Sequence, residues 1–286
     1  KMGTAQSEDK LIFQNPKYPK RFYMANVNED ETVLFLYERG DGRGNAAYMK
    51  DLRKPNAPFV AMATDMDYDY YPVEIIGDKM YMFTNYNAPK YRLMVADVNK
   101  PALKDWTELI PEAENVLSYA EVIGGKLFLT YDKDVANHVY VHELNGKEIQ
   151  EIQFPSLGTV IFSGDKDDKE CFFNFTSFTT PGATYKYDMD KNTSELFRAP
   201  KVAFNPDEYV TEQVFYPSKD GTKIPMFLTY KKDLKKDGKN PVYLYAYGGF
   251  NSSLYPDFAT SRIPFLENGG IYAQANLRGG GEYGED

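Results

Sequence analysis

Apolar and polar residues alternate over short stretches along most of the chain, as in Tyr91-Arg92-Leu93-Met94-Val95-Ala96-Asp97, with turn residues between the stretches. A period of two marks half-buried strands, whereas helices would place apolar residues about 3.6 positions apart. The pattern also repeats. Turn-then-strand segments occur at Asn28-Glu29-Asp30-Glu31 before Val33-Leu34-Phe35 and at Gly77-Asp78-Lys79 before Met80-Tyr81-Met82. Two more occur at Gly124-Gly125-Lys126 before Leu127-Phe128-Leu129 and at Asp167-Asp168-Lys169 before Cys171-Phe172-Phe173. The first apolar residues of these strands are spaced 47, 47 and 44 residues apart. A second landmark, the acid-then-apolar end of the following strand, recurs at Asp51-Leu52, Asp97-Val98, Glu143-Leu144 and Asp188-Met189, at spacings of 46, 46 and 45. A repeat in the forties made of short strands predicts β-propeller blades of four antiparallel strands. No Trp-Asp dipeptide is present, so these are not the commonest propeller repeats.

The repeat stops after about Pro206. From Thr211 to Tyr230 the chain predicts a hairpin, with Asp220-Gly221 in the turn between apolar runs. A charged turn over Lys231 to Asn240 leads to Pro241-Val242-Tyr243-Leu244-Tyr245-Ala246-Tyr247, whose near-continuous apolar character predicts a strand buried on both faces. Phe258 to Asn268 predicts a helix with Thr260 or Ser261 near its start and Gly269-Gly270 as its stop. Ile271 to Asn276 predicts another buried strand. Strand, helix, strand is the beginning of an α/β sheet.

Composition narrows the function classes. With 33 Lys and Arg against 42 Asp and Glu, the net charge of −9 argues against nucleic acid as a partner. No apolar run approaches the roughly 18 residues of a membrane helix, so a soluble chain without a membrane partner is expected. The 24 Tyr and 19 Phe among 286 residues fit pleated strand surfaces. One cysteine, Cys171, excludes an intrachain disulfide framework and a thiolate metal cluster, and its apolar run predicts a buried, inert thiol. The start at Lys1-Met2-Gly3-Thr4 shows no signal peptide and does not look like a native start. A cytoplasmic location is expected, or a periplasmic one if a signal peptide precedes Lys1.

Two stretches carry candidate chemistry, Tyr247-Gly248-Gly249-Phe250-Asn251 and Asn276-Leu277-Arg278-Gly279-Gly280-Gly281-Glu282-Tyr283-Gly284, each at the end of a predicted strand. Both resemble the prolyl oligopeptidase family of serine peptidases. The resemblance extends through Tyr216-Pro217-Ser218-Lys219-Asp220-Gly221-Thr222-Lys223-Ile224-Pro225-Met226 and, in the repeats, through Gly3 to Asp9, Tyr91-Arg92-Leu93 and Thr176-Ser177-Phe178. It implies about four blades of the family's seven-bladed propeller over residues 1–205, followed over 206–286 by the N-terminal part of an α/β-hydrolase (peptidase) domain. The earlier blades and an N-terminal hydrolase segment would lie outside this sequence.

The resemblance further implies hydrolysis of short peptides on the carboxyl side of proline, with no metal or cofactor. Tyr247 would donate its phenolic hydrogen bond to the oxyanion, and Phe250 would wall the proline-binding pocket. Read from the residues alone, Tyr247 is one of 24 tyrosines at a strand end and Phe250 is core packing. Asn251 reads as a turn residue. No G-x-S-x-G occurs in the chain, and the order Ser, Asp, His of such hydrolases places all three beyond the strands found here. This chain is therefore expected to be inactive alone. Its exposed edges, at an open propeller, an unfinished sheet and their junction, are expected to make it self-associate.

Two readings of other classes stand beside this one: a propeller interaction module with a non-catalytic tail, and a dipeptidyl peptidase of the same superfamily. His138 and His142 share a strand face without a third ligand for zinc. Gly279-x-Gly281-x-x-Gly284 matches the dinucleotide fingerprint and follows a predicted strand, but that fingerprint normally opens the first βα unit, and the sequence ends before the acidic residue expected about 20 positions on. Asp65-Met66-Asp67-Tyr68-Asp69 opens like a calcium loop, yet Tyr70 stands where glycine is required, so it reads as a solvated connection. Arg39 and Arg43 flank the glycine-rich stretch Gly40-Asp41-Gly42, which also reads as a solvated loop.

Overall fold

The computed structural model describes residues 3–40 and 42–285; Lys1, Met2, Asp41 and Asp286 lie outside the described residues. The repeat becomes four antiparallel sheets of four strands, each in chain order. The first holds β1 (Phe22–Val27), β2 (Val33–Arg39), β3 (Asn45–Asp51) and β4 (Val60–Ala63), and the second β5 (Tyr70–Ile76), β6 (Lys79–Thr84), β7 (Arg92–Asp97) and β8 (Thr107–Ile110). The third holds β9 (Val116–Ile123), β10 (Lys126–Lys133), β11 (Ala136–Glu143) and β12 (Glu148–Ile152). The fourth holds β13 (Thr159–Ser163), β14 (Cys171–Thr176), β15 (Ala183–Asp188) and β16 (Thr193–Arg198). The two sequence landmarks are the second and third strands of every blade.

The middle strands β6 and β10 are apolar on both faces because the second and third blades have a neighbour on each side. On β6, Met80 and Met82 join Phe35, Tyr37 and Met49 of the first blade, whereas Tyr81 between them joins Leu127 and Leu129 of the third. On β10, those two leucines face back toward the second blade, and Phe128 faces forward onto Phe162 of the fourth, with ring centroids 5.2 Å apart. Side-chain alternation along a strand thus becomes a stack of blades. Cys171 lies in this core, its thiol pushed up to about 12 by burial and then by the charges of Glu121 and Asp168.

The innermost strands border a cavity of about 560 Å³ lined by β1, β5 and β9, with Asn26, Glu29, Tyr71, Tyr119 and Glu121 among its walls. At one mouth, a single loop touches the other three blades. The buried ammonium of Lys166 pairs with Asp30 and lies 3.9 Å from Glu74. Its backbone N–H donates to Glu29 at 2.9 Å, and the carbonyls of Asp165 and Lys166 accept from Gly124 and Gly125.

Beyond the fourth blade lies a fifth sheet of β17 (Tyr209–Pro217), β18 (Lys223–Lys231), β19 (Val242–Tyr247) and β20 (Ile271–Asn276), with α1 (Ile263–Glu267) between the last two. Its order is β17-β18-β20-β19, and only the β19–β20 pair is parallel. The helix is shorter than the sequence suggests. Phe258 stays extended and stacks on Phe204, and neither Thr260 nor Ser261 caps the helix, which is preceded by a 3-10 turn at Thr260–Arg262.

β19, expected to be buried on both faces, forms the sheet edge within these 286 residues, and all six of its residues are exposed, Leu244 to 64%. The centre belongs to β20, which is buried along most of its length. The junction with the blades, expected to be open, is packed: Val135 and Phe178 from blade turns enter one cluster with Phe227, Ile263 and Tyr272. No helix among the described residues is long and apolar enough to cross a membrane.

Burial in the channel wall pushes the Glu121 carboxyl up from 4.5 to about 7. A raised folded-state value favours the neutral form, so the stability it contributes is present below about pH 4.5 and is lost as pH rises through about 7. Glu121→Gln should therefore raise the thermal midpoint by a few degrees at pH 8 and leave it nearly unchanged at pH 4. Melting curves at the two pH values check this.

Candidate functional site

The carboxyl ends of β19 and β20 lie side by side, with Tyr247 opposite Asn276 in the register. Ligands of open parallel sheets bind at such strand ends, where loops diverge. Tyr247 is the last residue of β19, and its ring is 38% exposed. The chain then turns at Gly248, where a Cβ would stand 2.6 Å from the carbonyl oxygens of Leu277 and Arg278, so only glycine lets the two loops touch. Phe250 follows with 96% of its surface exposed within these 286 residues. Phe250 and Asn251 both have left-handed backbones, at φ of 54° and 57°.

The glycine-rich stretch after β20 lies against this turn. Asn251 N–H donates to the Gly279 carbonyl at 3.0 Å, and Leu277 N–H to that of Tyr247 at 3.1 Å. Arg278 pairs with Asp220 of the β17–β18 turn and donates to Ser218, while the Thr222 N–H, then Arg278, hold the Asp220 carboxyl down at about 2. No helix opens at Gly279 to Gly284, which removes the dinucleotide reading. Beneath the stretch, the Glu282 carboxylate is 4% exposed and accepts from the Leu254 N–H at 3.1 Å and from Asn276 Nδ2 at 3.0 Å.

The blades approach this site from two sides. On one side, buried Asp132 at the end of β10 accepts from Tyr255 Oη at 2.6 Å, Asn137 Nδ2 at 2.7 Å and Ser118 Oγ at 3.0 Å. Burial raises the Asp132 carboxyl, opposed by those three donors. Asp134 accepts from Tyr283 Oη at 3.0 Å, and Thr159 Oγ1 donates to the Pro256 carbonyl at 2.8 Å. On the other side, Glu285 accepts from Asn85 Nδ2 at 2.8 Å and more distantly from Asn251 Nδ2 at 3.4 Å. Between the blades and the glycine stretch lies a crevice of about 390 Å³, bordered by Arg43, Asn251, Gly279, Gly280, Gly284 and Glu285.

Two loops read as solvated do keep Arg43, Asp65 and Asp67 exposed, but they pack at Gly44, Met66 and Asp69. Gly44 lies backbone to backbone on the next connection, where a Cβ would stand 1.8 Å from the Tyr68 carbonyl. Asp69 is buried, bonded to Arg39 at 3.0 Å and Tyr91 Oη at 2.7 Å. The histidines stay apart from the site in β11, His138 on Glu151 at 2.8 Å and His142 buried with its imidazole shifted down by burial. Among the described residues no cluster of three or more His, Cys, Asp or Glu is arranged to hold a metal. Asp132 and Glu282 carried no sequence signal as site residues. Glu282 lay within the glycine motif, but its burial depends on a loop some thirty positions upstream.

Blades stacked around a channel and joined to a mixed sheet make this a β-propeller protein with a second, partly parallel layer at one face. Residues 1–200 match the family model described as the prolyl oligopeptidase N-terminal beta-propeller domain, and the chain belongs to the prolyl oligopeptidase family. A prolyl endopeptidase of Elizabethkingia meningoseptica is 43% identical over 286 residues, covering all of this chain and 40% of that protein. Prolyl oligopeptidase A of Galerina marginata is 34% identical, again over all of this chain and 40% of its own length. The chain thus spans about two fifths of these curated relatives. A solved structure from a study of two prolyl endopeptidases and their inter-domain dynamics superposes with a TM-score of 0.91 at 38% identity, covering 99% of this chain and 42% of that one. Prolyl oligopeptidase B of Galerina marginata, bound to a 35mer hydrolysis and macrocyclization substrate, gives 0.92 at 30% identity over 100% of this chain and 42% of that one.

The buried Asp132 cluster predicts a mutational cost. Tyr255→Phe removes one donor from a desolvated carboxylate and should destabilise the chain by about 1–3 kcal/mol. Chemical denaturation of the two proteins measures it.

Proposed function

We propose that the polypeptide to which these 286 residues belong is a serine endopeptidase that cleaves short peptides on the carboxyl side of proline. In this reading residues 1–205 are blades of the propeller and 206–286 open an α/β-hydrolase domain. The observation that carries it is the position of Tyr247 at the carboxyl end of β19, opposite Asn276 of β20, with the exposed Phe250 in the turn that follows and Asn251 of that turn bordering the crevice. Family membership supports it, as do relatives named prolyl endopeptidase.

Acyl transfer from a peptide builds negative charge on the scissile carbonyl oxygen, and a fixed donor aimed at that oxygen lowers the barrier. The Tyr247 phenol is such a donor. It stands at a strand end, held by the parallel ladder and by the Leu277 bond to its own carbonyl. Phe250 offers a flat apolar face, free of other packing, against which a pyrrolidine ring can stack. The propeller limits access to the crevice, which restricts substrates to short peptides. Because the sequence contains no G-x-S-x-G, the nucleophile, base and orienting carboxylate must come from elsewhere in the polypeptide, and the 286 residues alone are expected not to hydrolyse peptides.

In the full-length polypeptide, Tyr247→Phe should lower kcat by about 10²–10³-fold, equivalent to about 2.7–4 kcal/mol, with KM little changed. Steady-state kinetics on a Gly-Pro fluorogenic peptide tests this. A wild-type protein that does not cleave after proline would refute the proposal.

A further inference from the structure

We infer that Glu282 is a positioning residue for proline selectivity, holding the turn that presents Phe250. The inference rests on the peptidase reading above. Its starting point is a strained backbone: Phe250 and Asn251 are consecutive non-glycine residues in the left-handed region. The left-handed region crowds the Cβ of an L-residue, and the conformation persists only where surrounding contacts enforce it. The Phe250 ring supplies none of that enforcement, since it is 96% exposed.

The enforcing contacts lie around the turn. Ser252 N–H donates to the Gly249 carbonyl and Asn251 N–H to that of Gly279, both at 3.0 Å. Farther along, the Leu254 residue is gripped at both of its backbone groups. Its N–H donates to Glu282 Oε1 at 3.1 Å, and its carbonyl accepts from Asn276 Nδ2 at 2.9 Å. Glu282 Oε1 also accepts from that same Asn276 Nδ2 at 3.0 Å, and Asn276 is the register partner of Tyr247. One buried carboxylate therefore ties the segment after Phe250 to the strand beside Tyr247. Charge-assisted bonds of this kind are about twice as strong as neutral ones. Gly280 makes room for it: a Cβ there would stand 2.1 Å from Glu282 Oε2.

The test has a structural arm and a kinetic one. In the 286-residue chain, hydrogen exchange at the amides of Asn251 and Leu254 should accelerate in Glu282→Ala and stay near wild type in Glu282→Gln, which keeps an acceptor oxygen. In the full-length polypeptide, the ratio of kcat/KM for matched peptides with proline or alanine at the cleaved position should fall at least about tenfold in Glu282→Ala and less than about threefold in Glu282→Gln, because small displacements of a positioning group are costly. Should the alanine variant not fold, Glu282→Asp withdraws the oxygen by one methylene with the charge kept and should give the same fall. Gly280→Ala should mimic it from the opposite side. Unchanged exchange at Leu254, or an unchanged proline-to-alanine ratio in a variant that still cleaves, would overturn the inference. A wild-type polypeptide without post-proline cleavage would instead sink the peptidase reading, leaving the exchange result to judge the turn.

Discussion

The middle strands of the two central blades are apolar on both faces, and this two-sidedness organises the molecule. A sheet with one apolar face can rest on a single partner, but β6 and β10 leave greasy surface on both sides unless a blade stands at each. Met80 and Met82 require the first blade while Tyr81 requires the third, on three adjacent residues of one strand. Stacking around an axis satisfies this condition. The innermost strands then meet at the channel, and the turns between second and third strands gather at one rim. That rim is where the fifth sheet docks.

The docking is unequal along its length. Near the third and fourth blades it is made of buried groups: the Asp132 carboxylate with three donors, and Val135 and Phe178 within an apolar cluster. Near the second blade it is made of amide and carboxylate side chains on Asn85 and Glu285. Buried polar contacts are costly to leave unpartnered, whereas exposed ones exchange readily for water. At the second blade the buried Asn85 and the Glu285 N–H on the Pro89 carbonyl hold the sheet, and the Phe250 turn reaches that side through Asn251.

Much of this was legible in the sequence because its signals are local. The second and third strands of each blade announce themselves by a turn before and an acidic residue after, and the hairpin at Asp220-Gly221 by its turn chemistry. The first and fourth strands were harder, since β1 and β16 are exposed throughout and show no clean alternation of burial. For β19 the composition suits a core, whereas its place in the sheet is set by partners far along the chain. Tyr247 and Phe250 stand out in the sequence only through their resemblance to a family motif. Asp132 could not, because its role depends on Tyr255, 123 residues away. A lone acidic residue in a strand looks the same whether it meets water or a phenol.

The Lys166 loop carries a consequence for the order of assembly. Contacts between neighbouring blades close loops of one repeat, so a stack can grow from any blade pair and extend in either direction. The bond from Lys166 to Glu29 spans 137 residues and joins the fourth blade to the first. The entropy of closing so long a segment falls on the last step unless the intervening blades have already brought the ends together. The intervening blades thus serve as a template for this bond, and once made it records that the first and fourth blades stand in their native places.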